Sequence, residues 1–326
     1  MAESRVRIAV LFGGRNGEHE VSCRSAEGVL AALDPARYDV LPVRITRAGR
    51  WEVGGAAGVG VFAAVRALRA VDVAFPLLHG PFGEDGTVQA ALRHAGIRHV
   101  GSDAPACAIG MDKECTKKLL ADNGIAVAES VVLRSAACSL SHREREALGL
   151  PVFVKPARAG SSVGVSRVDG WDRLGAAVAA ARAVDPKVLV ERAVPGREVD
   201  VGVLELPDGG LAVSPPLEIG VAGGRDFFDF EAKYRAGGAV FTVPAALGEP
   251  LGARLRALAV RAFRALGCRG LLRVDFLLGD GDEPVVNEVN TMPGFTHASQ
   301  FPRMWQAAGI GYGRLLDTLV ETALSR

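Results

Sequence analysis

Gly270-Leu271-Leu272-Arg273-Val274-Asp275-Phe276-Leu277-Leu278, then Gly279-Asp280-Gly281-Asp282-Glu283, then Pro284-Val285-Val286-Asn287-Glu288-Val289-Asn290, reads as two apolar strands joined by a turn. Side chains alternate along a strand, so Arg273 and Asp275 share one face and Glu288 and Asn290 share another. A hairpin can place both pairs on the same side, where Asp275, Glu288 and Asn290 would converge. Such an all-oxygen set suits a hard cation, usually magnesium that also binds phosphate oxygens, rather than zinc. The alternative is a charged outer sheet face satisfied by water or by Arg273. The flanking Thr291-Met292-Pro293-Gly294 favours the cation.

A second signal lies upstream in Lys155-Pro156-Ala157-Arg158-Ala159-Gly160-Ser161-Ser162-Val163-Gly164, where a lysine ends a strand and a small-residue loop follows. Backbone N–H groups of such a loop can cradle phosphate oxygens while the lysine supplies a point charge. The lysine precedes the glycines, so this is not a Walker A loop; a plain surface turn is the competing reading. Lys113, in Met111-Asp112-Lys113, is either a further phosphate contact or a solvated charge near a helix start.

Near the amino end, Arg5 to Phe12 forms a β-rich run ending in Gly13-Gly14, and Ser22 to Leu33 reads as a helix. The intervening Arg15-Asn16-Gly17-Glu18-His19-Glu20-Val21 does not complete the Gly-x-Gly-x-x-Gly spacing of a dinucleotide fingerprint. Glu18 can take the ammonium of a small substrate or complement the helix dipole. A second apolar run, Val71 to Leu78, ends in His79-Gly80-Pro81-Phe82-Gly83-Glu84-Asp85-Gly86, which is too glycine-rich for a core segment. His79 either lines a cleft there or is a hydrogen-bonded structural residue.

These βα units predict an α/β domain with a parallel sheet, ending near Ser102. Beyond it the pattern becomes α+β: helix to about Asn123, strands Ala128–Leu133, Pro151–Lys155 and Lys187–Arg192, and helices Ser141–Leu148 and Asp172–Ala183. The last third adds strands Glu198–Leu206, Leu211–Ile219, Gly270–Leu278 and Pro284–Asn290, with helices Pro250–Leu266 and Tyr312 to the end. The expected domains are 1–104, 105–193 and 194–326. With no low-complexity linker, lobes around a shared cleft are expected rather than separate beads.

Composition narrows the function classes. Basic and acidic residues nearly cancel, 38 against 37, so no overall field draws the chain to nucleic acid or an anionic membrane. The five cysteines are scattered, without a Cys-x-x-Cys pair, which argues against a disulfide framework or a zinc site and for a reducing cytoplasm. No stretch approaches a membrane span, and the start lacks the apolar run of a signal peptide. Only six basic residues are lysines, Lys113, Lys117, Lys118, Lys155, Lys187 and Lys233, which draws attention to each.

Taken in order, these segments resemble the D-alanine–D-alanine ligases of the ATP-grasp superfamily over essentially the whole chain. The resemblance rests on Gly13-Gly14 with Glu18 to Ser22, His79 to Gly86, Met111 to Lys113 and Lys155 to Gly164. It continues through Phe230-Glu231-Ala232-Lys233-Tyr234, Arg273 to Asp275 and Asn287 to Gly294. It implies a Rossmann-like N-terminal domain followed by a two-lobed ATP-grasp fold. The implied reaction uses ATP to phosphorylate one D-alanine carboxylate; the amine of a second D-alanine then displaces phosphate. A related ligase making D-alanyl-D-lactate or another carboxylate–amine product is the alternative.

The resemblance also implies roles. Asp275, Glu288 and Asn290 hold two Mg2+, or Mn2+, and Lys113, Lys155 and Lys233 neutralise the transferring phosphoryl group. Glu191 and Val194 hold adenine, and Glu198 the ribose. Glu18 orients the first D-alanine, with Val21 and His79 lining its pocket; Ser299 and Gln300 hold the second carboxylate. Arg273 and the Gly294 N–H stabilise the oxyanion. Ser161 and Tyr234 link Glu18 to a closing loop, and Tyr234 favours an amine nucleophile over a hydroxyl. A cytoplasmic homodimer is also implied. Departures from the family pattern are Ala159, the hinge Arg192-Ala193-Val194, Phe228, Phe230 and Gln300.

Overall fold

The computed structural model describes residues 5–134, 139–221 and 239–326. The first unit follows from strands that are apolar on both faces, as parallel strands covered by helices must be. Strand β1 (Val6–Gly13) is followed by helix α1 (His19–Ala32), β2 (Tyr38–Ile45), β3 (Trp51–Val53), α2 (Val61–Ala67), β4 (Val73–Pro76), α3 (Thr87–His94) and β5 (Arg98–His99). The sheet order is β3-β2-β1-β4-β5, with β1 parallel to both β2 and β4. The chain turns to one side after β1 and to the other before β4, so the carboxyl ends of those strands flank a crevice. Gly13 and Gly14 end β1 there. Gly13 has φ +92°, and a Cβ on it would lie 2.3 Å from the Ile45 carbonyl oxygen, so only glycine fits.

Strand β2 escaped the sequence reading because Pro42 interrupts its apolar run. It survives because regular β3 pairing starts only at Val43, and the Pro42 carbonyl still accepts from the Gly54 N–H just beyond β3.

Helices α4 (Ala104–Met111) and α5 (Lys113–Asp122) come next, followed by β6 (Ser130–Leu133), α6 (His142–Leu148), β7 (Val152–Pro156), β8 (Ser166–Val168), α7 (Leu174–Arg182) and β9 (Val188–Arg192). Helix α6 starts at a capping box, Ser141 with Glu144. The strands form an antiparallel sheet, β6-β9-β7-β8, over a core of Val152, Val154, Val178 and Val190. Ala106, Leu120 and Ile125 pack instead into the core of the last unit, alongside Val274 and Phe263. By packing, then, α4 and α5 belong with the third unit, although they fall within the 105–193 stretch that composition groups with the second.

The third unit contains β10 (Arg197–Glu205), β11 (Leu211–Val213), β12 (Leu217–Val221), β13 (Ala239–Thr242), α8 (Glu249–Ala265), β14 (Leu271–Leu278), β15 (Pro284–Asn290), α9 (Gln300–Ala307) and α10 (Tyr312–Leu324). Its sheet runs β13-β12-β10-β14-β15, with β11 also on β10. The single strand expected over Leu211–Ile219 is broken at Pro215-Pro216, which have no N–H for a ladder, into two pieces that both pair with β10.

Helix α10 returns to the first unit, and one apolar core joins Ile8 and Phe75 to Phe295, Phe301 and Leu316. Phe295 is fully buried at that seam, edge-on to Phe75 with centroids 5.7 Å apart. Phe295→Ala is expected to destabilise the fold by about 3–5 kcal/mol in urea denaturation; a loss below about 1 kcal/mol would mean the seam holds without it. No helix among the described residues is long and apolar enough to cross a membrane.

Candidate functional site

The hairpin of β14 and β15 forms with Arg273 opposite Asn290 and Asp275 opposite Glu288, a register set by a bulge between those pairs and Phe276–Val286. Arg273 grips Asp275 with both prongs of its guanidinium, Nε to Oδ1 and Nη2 to Oδ2, each at 2.7 Å. Asn290 Nδ2 donates to Asp275 Oδ2 at 3.0 Å. From the adjacent β10, Asp200 stands 3.4 Å from Arg273 Nε, and Gln300 Nε2 donates to Asp200 at 3.1 Å. Burial works against the Arg273 charge, but Asp275 and Asp200 outweigh it and hold its pKa above the ordinary value.

This face is no solvated sheet surface: Arg273 and Asp275 are buried, while Arg273, Glu288 and Asn290 border a cavity of about 730 Å³. Two carboxylates and an amide on facing strand positions form a hard-oxygen set that fits magnesium or manganese. Among the described residues no group of three or more His, Cys, Asp or Glu side chains suited to a metal occurs, so the set depends on the Asn290 amide as its third member.

Two lysines approach Glu288 and its neighbour. Lys113 opens α5, whose N-cap Asp112 accepts from the N–H groups of Glu114 and Cys115. Its Nζ lies 3.5 Å from Glu288 Oε2 and donates to the Ala159 carbonyl at 2.8 Å, which ties the small-residue loop down. Lys155, near the end of β7, places Nζ 2.6 Å from Glu191 Oε1 and 3.4 Å from Asn287 Oδ1.

The loop between them is no ordinary turn. Ser161 and Ser162 hold left-handed φ values of +52° and +58°, which non-glycine residues adopt at a cost. Arg158 anchors its base through a two-pronged pair with Asp185. The Ser161 hydroxyl donates to Glu18 across the domain boundary.

Glu18 occupies the N-cap position of α1 and makes no side-chain cap bond there. Its carboxylate turns toward Ser161 and Gly80, where a Cβ on Gly80 (φ +70°) would lie 2.1 Å from Glu18 Oε2. Asn16 braces the turn by accepting from the Glu18 N–H and donating to the His79 and Pro81 carbonyls. His79 lies within hydrogen-bonding distance of Ser25 Oγ, 3.2 Å, and the Met292 carbonyl, 3.1 Å. Burial pushes its pKa down to about 4, so the ring is neutral at pH 7. His79 is thus a hydrogen-bonded structural residue and a cavity wall at once.

Glu84 is a participant that the sequence did not single out. It accepts from the N–H groups of Gly80 and Met292, joining the first unit to the segment that follows β15. Burial, with the charge of Glu18 adding, pushes its pKa up to about 8.

The expected residues divide between two cavities. Glu18, Val21, His79, Ser161, Arg273, Gly294, Ser299 and Gln300 line the first. The second, also about 730 Å³, lies between the central sheet and the third unit and is lined by Lys155, Glu191, Val194 and Glu198, with apolar Phe153, Val165, Ile219 and Leu277. Lys113, Ala159, Asn287 and Glu288 border both, so Glu288, on β15, stands where the two meet.

The structure redirects two of the expected side chains. The Glu191 carboxylate is committed to Lys155 and to Lys117, 2.5 Å away, rather than to the open second cavity. The Gln300 amide is committed to Asp200 and Arg273. Lys233 and Tyr234, with Phe228 and Phe230, lie outside the described residues. Lys117 and Asp200 were also missed, although each had a signal: Lys117 is one helical turn from Lys113, and Asp200 shares a strand face with Glu198.

Comparison with known proteins bears on this arrangement. A family profile described as D-ala D-ala ligase C-terminus matches residues 119–321, and one described as D-ala D-ala ligase N-terminus matches residues 7–63 and 55–102. The chain is 50% identical to a D-alanine--D-alanine ligase of Nocardia farcinica, covering 99% of this chain and 98% of that one. It is also 50% identical to that of Mycobacterium tuberculosis H37Rv, at 99% and 97% coverage. Among solved structures, the VanG D-Ala:D-Ser ligase of Enterococcus faecalis superposes with a TM-score of 0.85 at 33% identity, covering 98% of this chain and 100% of that one. A D-alanine--D-alanine ligase of Bacillus anthracis complexed with ATP gives 0.82 at 30% identity, with 98% and 97% covered.

Proposed function

The chain belongs to the D-alanine–D-alanine ligase family, and from that premise we propose that it uses ATP to join two D-alanine molecules into D-alanyl-D-alanine for peptidoglycan synthesis. The observation that carries the reading is the meeting of the two cavities at Lys113 and Glu288. A nucleotide fits the second cavity, whose apolar walls suit a base and whose Lys155 suits phosphate; amino acids fit the first. The phosphoryl group then passes at the junction.

Glu18 receives the ammonium of the first D-alanine, with Val21 and neutral His79 forming the wall beside it. Adenine lies against the chain at Glu191 and Val194, and Glu198 takes the ribose hydroxyls. Since the Glu191 carboxylate is occupied by lysines and its backbone lies in the ladder between β6 and β7, Glu191 shapes this end of the cavity and the adenine contact falls to Val194. A carboxylate attacking a triphosphate meets like-charge repulsion, which Lys113, Lys155 and Lys233 offset. Asp275, Glu288 and Asn290 would hold the two Mg2+ ions, or Mn2+, that supply further neutralisation of the phosphates. The product of this step is an acyl phosphate.

When the second amine attacks, Arg273 and the Gly294 N–H stabilise the oxygen that gains charge. The start of α9 at Ser299 and Gln300 receives the second carboxylate. Ser161, joined to Glu18 and, on the resemblance, to Tyr234, closes the loop over the site and keeps water from the acyl phosphate. The same reading makes the enzyme a cytoplasmic homodimer.

The test is release of ADP and phosphate with D-alanine, L-alanine, or D-alanine plus D-lactate, with products read by mass spectrometry. The dipeptide should form from D-alanine alone. Nucleotide binding without D-alanine-dependent ADP would end the proposal.

Gly80→Ala adds a methyl group into the space held by Glu18 Oε2 and strains a left-handed backbone. It should raise the KM for D-alanine about tenfold or more, because the ammonium carboxylate is displaced, with little change in the KM for ATP. Steady-state kinetics with each substrate varied separately would check this; equal effects on both would contradict it.

A further inference from the structure

Glu191 is the middle of a buried three-residue charge group. Its side chain is 3% exposed, with Lys155 Nζ 2.6 Å from one oxygen and Lys117 Nζ 2.5 Å from the other. The Lys117 contact is a close buried ion pair. The two lysines come from different bodies, Lys155 from β7 of the central sheet and Lys117 from α5, which packs with the third unit. Lys155 borders the second cavity, Lys117 the first, and Lys113, one helical turn from Lys117, borders both.

One carboxylate cannot neutralise two ammonium groups, so the cluster keeps a surplus positive charge out of water. Burial drives the Lys117 pKa down, and Lys155 and Lys113 add to that, against Glu191. Burial would raise Glu191, yet Lys155 and Lys117 hold its pKa below the ordinary value. A lone Glu191–Lys155 pair would be balanced and would hold Lys155 back from any incoming anion. A second lysine on the same carboxylate leaves part of the Lys155 charge uncompensated.

We propose that Lys117 is a positioning residue for the nucleotide: by sharing Glu191 it frees Lys155 to meet the triphosphate. Lys117 need not touch the phosphates to do this. Deepening the ligase reading, it makes the grip on ATP depend on a charge shared between two bodies of the fold.

Lys117→Met keeps the length of the apolar stem and removes the charge. It should raise the KM for ATP about tenfold, the low end of what one close charge does to a neighbour, and leave the KM for D-alanine within about twofold. In the double variant Lys117→Met/Glu191→Gln the pull on Lys155 is gone, and the KM for ATP should return to within about threefold of the parent. The double variant keeps the net charge of the parent cluster and carries the test even where the single one folds poorly. A single variant with parental ATP kinetics, or a double variant that keeps the whole increase, would overturn the proposal. A purely structural ion pair would lower stability and spread its effect over both substrates. The parent enzyme assayed alongside reports on the ligase reading itself, through D-alanine-dependent ADP release.

Discussion

Replacing Arg273 with methionine should reduce kcat/KM by about a thousandfold or more and destabilise the fold by about 3–5 kcal/mol. Both effects come from one guanidinium. It pairs with Asp275 and Asp200, two carboxylates buried beside each other on adjacent strands. Removing it takes a close counter-charge from both, and removing one partner of a buried pair costs far more than the pair contributes. The catalytic loss is separate, because the same group faces the cavity where an oxyanion develops.

Arg273→Lys separates the two effects. It keeps a positive charge, so most of the stability should remain, but it cannot reproduce the double grip on Asp275 and should still lose about a hundredfold in kcat. Rates of ADP formation together with urea denaturation measure both. An Arg273→Met enzyme within tenfold of the parent would remove Arg273 from the chemistry.

The part of this site that local sequence reveals is the part carried by one element or one turn. The hairpin was legible because strand alternation and a Gly-Asp-rich turn are local, but the pairs Arg273–Asn290 and Asp275–Glu288 also need the register shift beyond Phe276–Val286, which the pattern does not announce. The loop after Lys155 was legible because small residues cluster there, although the strain at Ser161 and Ser162 was not.

What escaped depends on which faces meet across the chain. Nothing near Glu191 announces that its carboxylate points to a helix some seventy residues earlier. Glu84 looks like one more polar residue in a glycine-rich turn until burial and the Met292 N–H give it a partner. The affiliation of α4 and α5 is hidden for the same reason: their apolar faces suit either neighbour, and only packing decides.

Glu288→Gln should lower kcat by about two to three orders of magnitude while changing stability by less than about 1 kcal/mol. The side chain is 24% exposed and its lysine partner stands 3.5 Å away, so the pair contributes little to the fold. Its placement, bordering both cavities and facing Asp275 across the hairpin, puts its charge where phosphoryl transfer would occur. Glutamine keeps the shape and removes the charge, which weakens a hard-cation site and shifts Lys113 toward the substrate anions. Two readouts distinguish a metal role from a general electrostatic one. If Glu288 holds magnesium, the magnesium concentration for half-maximal rate rises in the variant, and Glu288→Asp, with its charge retained, recovers part of kcat. If Glu288 only balances Lys113, magnesium dependence stays as in the parent. Parental kcat at saturating magnesium would remove Glu288 from the reaction and, with it, the assignment of the cavity junction at Glu288 as the place where the two substrates meet.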